Sequence, residues 1–61
     1  MVKTIVIIED KDGIEHVGET TTNFSVKEDQ IVTARIYNGK YISGFIVEIR
    51  GEVNEQQRAT L

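Results

Sequence analysis

The segment Tyr37-Asn38-Gly39-Lys40, set between two runs rich in β-branched and aromatic residues, constrains this chain more than any other feature. Asn-Gly is the strongest short hairpin signal, because both residues tolerate the positive φ that a two-residue type I′ loop requires. Such a turn makes Ile31 to Ile49 a hairpin and pairs Ile36 with Tyr41, Ala34 with Ser43 and Val32 with Phe45 on one face. The other face then carries Ile31 with Ile46 and Arg35 with Ile42. Gly44, opposite Thr33 in this register, marks a bend or a close approach of backbone.

The N-terminal third repeats the theme. Thr4 to Glu9 contains Ile5, Val6, Ile7 and Ile8 in one unbroken apolar run, which predicts a strand, central or covered, placed inside the sheet. Asp10-Lys11-Asp12-Gly13 makes the turn, with Gly13 supplying positive φ. A second strand from Ile14 to about Thr20 folds back on the first. Its register has two solutions: a two-residue Asp12-Gly13 loop sets Glu9 opposite His16, and a three-residue loop ending at Gly13 sets Ile8 there. One residue of slip changes every partner in the hairpin.

Between the hairpins, Thr20-Thr21-Thr22-Asn23 is compatible with a prolonged strand, an irregular crossing or an exposed edge. Ser25 and Glu28 have the spacing of a helix capping box. Only one short turn fits before Ile31, so Lys27-Glu28-Asp29 reads as a solvated loop. Beyond Arg50-Gly51 the alternation is lost. The expected organisation is one small β domain over residues 1–51, followed over 52–61 by a polar tail that is mobile or, with Asn54 as cap, a short helix.

The 61-residue length and the absence of Cys bound what this fold can do. A domain this short buries only about 60% of the surface its unfolded chain exposes. Small scaffolds compensate with disulfides, a structural metal or self-association, and composition leaves the last of these open. Without Cys, with no apolar run long enough for a membrane span and no signal-peptide layout, the expected setting is soluble and cytoplasmic. Ten acidic against seven basic residues give a net charge of −3. That balance works against general binding to phosphate backbones, which needs clustered Lys and Arg.

No residue set carries a reaction. His16 is the only imidazole, near Glu9, Glu15 and Glu19, and neither metal binding nor acid–base work is supported without several groups converging on one point. Ser25 and Ser43 lack a His and an acid in a recognisable elbow, and no Gly-rich phosphate cradle is present. We therefore expect no catalytic, cofactor-binding or metal-binding residues, and no cofactor. Tyr37, Tyr41 and Phe45 with Arg35 and Lys40 suggest base stacking. The register above, however, turns Tyr41 and Phe45 toward the core, leaving Tyr37 and Lys40 at the turn.

Val32 to Ile49, with Asn38-Gly39 followed by Gly44, resembles the hairpin of Sm-like RNA-binding rings. The resemblance covers less than a third of the chain and implies a ring-forming small barrel that binds nucleic acid. The acid-and-Asn signature that follows the hairpin in that family is lacking here. Two strands also precede the hairpin where that family has a helix.

The reading that follows is all-β: a small antiparallel meander of about four strands in two hairpins, left as a sheet or curled into a small barrel, with a flexible C-terminal tail. The expected function is non-enzymatic protein binding, by analogy with small inhibitors and adaptors of phages and mobile elements acting on a host protein. Asp10, Asp12, Glu15 and Glu19 are the candidate partner-binding residues, complementing a basic groove. Ile31, Ile42 and Ile46 are the candidates for self-association into a homo-oligomer. An Sm-like nucleic-acid-binding ring and a structural subunit of a larger assembly are the alternatives.

Overall fold

In the computed structural model, which describes residues 1–54, four antiparallel strands follow in chain order: β1 (Val2–Glu9), β2 (Glu15–Thr22), β3 (Ile31–Ile36) and β4 (Tyr41–Asn54). β1 pairs with both β2 and β4, and β3 pairs with both β2 and β4, so the sheet closes into a barrel. The apolar run of β1 is thus laddered on both sides, as its composition predicts. Its alternate residues Val2, Thr4, Val6 and Ile8 are buried, whereas on the outer face Ile5 is exposed and Ile7 half-buried. The core gathers Val6, Ile8, Ala34 and Ile46, with Val32, Ile42 and Ile49 packed against them.

Both hairpins turn through the same device. In the first, Gly13 N–H donates to Asp10 O and Asp10 N–H to Ile14 O. This is a three-residue loop in which a β-turn is followed by a left-handed glycine, and Gly13 has φ 80°. Ile8 accordingly faces His16 and Glu9 faces Glu15, which selects the second of the two registers open in the sequence.

The second hairpin corrects the sequence reading. Gly39 N–H donates to Ile36 O and Ile36 N–H to Lys40 O, so the loop is again three residues long. Gly39 has φ 86°, but Asn38 is not left-handed; its Oδ1 instead accepts from Lys40 N–H at 3.0 Å. A type I′ turn needs both central residues left-handed. With that condition unmet, the pairing slips by one residue, to Arg35 with Tyr41, Thr33 with Ser43 and Ile31 with Phe45. Ile42 and Ile46 therefore turn into the barrel beside Ala34 and Val32, while Tyr41 and Phe45 turn out.

β4 also continues through Gly51 to Asn54, past the expected end of the domain, because the N-terminal half of β1 takes it as a partner from Val2 to Ile5. The register shifts at Ile5/Val6 and at Ile7/Ile8, leaving Arg50 and Val47 as extra residues on β4. Bulges bend and twist the bulged strand, which lets one long strand serve both β3 and β1. The expected mobile tail or helix otherwise falls on residues 55–61, outside the described residues.

The connection from β2 to β3 is a loop, and the Ser25–Glu28 spacing caps no helix there. It sends Val26, 4% exposed, into the core. It is tied to β4 by Asp29 N–H to Ile46 O and by Ile46 N–H to Gln30 O, at 2.8 and 2.9 Å.

Two glycines mark where strands press together. A Cβ on Gly44 would overlap the carbonyl of Glu9, and one on Gly18 would lie 2.8 Å from the carbonyl oxygen of Arg35. Gly51 has open space around it. Gly44→Ala should therefore destabilise the protein by about 3 kcal/mol, the upper range for forced overpacking, while Gly51→Ala stays within about 0.5 kcal/mol. Urea unfolding followed by circular dichroism checks both; equal midpoints for the two variants would contradict the close approach.

Candidate interaction surfaces

Strand alternation sorts the acidic residues of the first hairpin into two groups. Glu9, Glu15 and Glu19 lie on the outer face, in register with Glu15, Glu9 and Ile5 respectively. Between them on the same face stand Ile5, Ile7 and Val17, the last 59% exposed. The result is an apolar strip edged by three carboxylates, none of which forms an ion pair among the described residues. Glu9 directly opposite Glu15 is a like-charge cross-strand pair, which costs stability in the isolated protein.

Asp10 belongs to the other group. Its Oδ1 accepts from Asp12 N–H at 2.9 Å and Ile14 N–H at 3.0 Å, and its Oδ2 lies 2.9 Å from Nε2 of His16. These contacts hold the loop and hold the carboxyl below the ordinary carboxylate value; the hydrogen bond from His16 is the leading cause, followed by that from Ile14. The acid that engages His16 is thus Asp10, whose carboxylate ties the loop together. Of the four acidic candidates, Glu15 and Glu19 share the outer face, Asp12 sits exposed in the turn, and Asp10 is committed within the loop.

Next to the apolar strip is a hollow of about 300 Å³ whose walls include Ile5, Val17, Glu19, Arg35 and Tyr37. Tyr37 is 96% exposed. Tyr37 is the ring that the sequence reading leaves available at the turn, whereas Val17 is not among its site residues, although Glu15-His16-Val17-Gly18-Glu19 has the alternation that places an apolar residue between two acids.

The second surface is the outside of the β3–β4 hairpin. Ile31 faces Phe45, Thr33 faces Ser43 with their hydroxyls 3.0 Å apart, and Arg35 faces Tyr41. Tyr41 and Phe45 are 70% and 50% exposed, so the expected core role for them does not hold. Of the three residues expected at a self-association contact, Ile31 alone lies on the surface. Ile46 is 1% exposed and Ile42 faces inward against the core, for the reason of register given above.

Among the described residues, no group of three or more His, Cys, Asp or Glu is arranged to hold a metal ion, and no helix is long and apolar enough to cross a membrane. Comparison with protein-family models, with curated proteins and with solved structures found no match.

The Asp10 contacts generate a pH dependence. A carboxyl whose pKa is lower in the folded than in the unfolded state adds stability above its unfolded value, and that stability is lost as pH falls through the folded one. Wild-type protein should therefore lose thermal stability on acidification from the ordinary carboxylate value of 3.8 downward. Asp10→Asn, which keeps an accepting oxygen for the loop but no charge, should lose less over that window. Thermal midpoints against pH check this, and parallel curves for the two proteins would contradict the assigned role.

Proposed function

We propose that the protein is a non-enzymatic protein-binding module, of the inhibitor or adaptor kind, that engages a basic partner through the outer face of its first hairpin. The observation that supports it is the strip of Ile5, Ile7 and Val17 bordered by Glu9, Glu15 and Glu19. Interfaces combine an apolar centre with a polar rim, and here carboxylates predominate in the rim, with Arg35 in register with Glu19 on its β3 side. A cationic partner relieves the Glu9–Glu15 repulsion that the free protein carries, so the local rule broken by this pair acquires a use. Tyr37, beside the strip, adds a residue type enriched among binding hot spots.

The mechanism divides between the two parts of the surface. The carboxylates steer encounter and set which partner fits, which appears in the association rate and its salt dependence. Burial of the aliphatic side chains governs how long the complex lasts. Neither part requires a reacting group.

A second reading rests on the corrected register of β3 and β4. Exposed Tyr41 opposite Arg35, with Tyr37 and Lys40 at the adjoining turn, offers rings and cations to single-stranded nucleic acid. The net charge of −3 favours the protein-binding reading.

Affinity capture from the native cell, with the bound material identified as protein or nucleic acid, separates the two. With a captured protein in hand, Glu9→Gln, Glu15→Gln and Glu19→Gln together should slow association about tenfold at low salt and flatten its salt dependence. Val17→Ser should chiefly speed dissociation. An unchanged association rate for the triple variant, with the fold preserved, would contradict the acidic face as the contact.

A further inference from the structure

We infer that the patch around Ile31 and Phe45, on the outside of the β3–β4 hairpin, is a self-association surface whose occupant is a second copy of this chain. The two side chains stand in register on adjacent strands and are 64% and 50% exposed. Beside them lies a hollow of about 170 Å³, walled by Ile31, Phe45, the bare backbone of Gly44 and the first loop from Glu9 to Lys11. Gly44 has no side chain because the Glu9 carbonyl occupies the place of one.

Charge decides which occupant fits. A two-fold interface must be self-complementary, so that residue i of one copy meets j of the other and j meets i. Two copies of the β1–β2 face would set carboxylates against carboxylates, which disfavours pairing there. The rim of the Ile31–Phe45 hollow carries both signs, with Lys11 near Glu9, and Lys11 forms no ion pair among the described residues. In an isologous pair the Phe45 ring of each copy enters the hollow of the other, and Lys11 of each approaches Glu9 of the other.

The need for such a contact is equally concrete. The core cluster of buried residues consists of Val6, Ile8, Val26, Ala34 and Ile46, while Ile31 and Phe45 sit in water and no Cys is present to staple the fold. Covering an exposed apolar pair is the remedy that a short, disulfide-free chain retains. Glu9, in register with Phe45, borders both this surface and the one proposed for the basic partner, while Val17, Glu15 and Glu19 lie outside the hollow.

Sedimentation velocity of the full chain over a concentration series reaching the millimolar range tests the inference, with circular dichroism confirming the fold of each variant. Wild type should pass from monomer to dimer. Phe45→Ser and Ile31→Ser should each raise the dissociation constant about tenfold or more, and Val17→Ser on the other face should leave it unchanged. Should Phe45→Ser fail to fold, Lys11→Glu in the exposed loop carries the test, and it should weaken the dimer most at low salt. A wild type that stays monomeric throughout would overturn the inference. So would a dimer that Phe45→Ser and Lys11→Glu leave intact, or one that Val17→Ser breaks.

Discussion

The contact on which the rest of this structure depends is between two stretches of backbone, where the end of β1 lies over Gly44 of β4 with no room for a Cβ between them. A barrel of four strands has a small circumference, so its closure forces strands to approach where the sheet curves most. Gly18 under Arg35 is the second such place, at the short β2–β3 ladder of Gly18 with Ile36 and Glu19 with Arg35. Glycine at these positions lets backbone meet backbone. The two bulges of β4 supply the bending that keeps it in register with β1 beyond the contact.

Closure on so small a radius limits what the interior can hold. Val6, Ile8, Ala34 and Ile46 fill it together with Val26 from the connecting loop. Val32, Ile42 and Ile49 pack against this cluster, and strand alternation turns other large apolar residues outward, among them those of two neighbouring surfaces that meet at Glu9 and Phe45. One, around Val17, is edged mainly by carboxylates, with Arg35 beside Glu19; the other, around Ile31 and Phe45, is edged by Glu9, Asp10 and Lys11. The same geometric limit that makes the core small therefore also provides the surfaces on which the proposed interactions rest.

Much of this was legible in the residues. The unbroken run Ile5 to Ile8 indicated an inner strand because β-branched residues in so short a run suit a ladder on both sides, and Asp12-Gly13 and Asn38-Gly39 located both turns. What could not be read was loop length. Asn38 satisfies its side chain by accepting from the backbone of Lys40, which removes it from the left-handed conformation that Asn-Gly suggests and shifts the hairpin by one residue. That single slip exchanges the fates of Ile42 and Ile46 with those of Tyr41 and Phe45. The contacts of Asp10 were likewise not legible, since a carboxylate in a turn can accept from the loop's own N–H groups. Partner chemistry was legible only as charge, because strand alternation places Glu9, Glu15 and Glu19 on one face without naming what meets them.

The register of the β3–β4 hairpin is the claim from which the Ile31–Phe45 surface follows, and proton–proton contacts between the strands test it directly. Ile36 and Lys40 form a hydrogen-bonded pair, so Arg35 with Tyr41 and Thr33 with Ser43 are the close, non-hydrogen-bonded pairs in which α-protons nearly touch. A nuclear Overhauser spectrum of the full chain should show strong Hα–Hα cross-peaks between Arg35 and Tyr41 and between Thr33 and Ser43. An Hα–Hα cross-peak between Ile36 and Tyr41 in their place would mean a two-residue loop, return Tyr41 and Phe45 to the barrel interior and contradict the account.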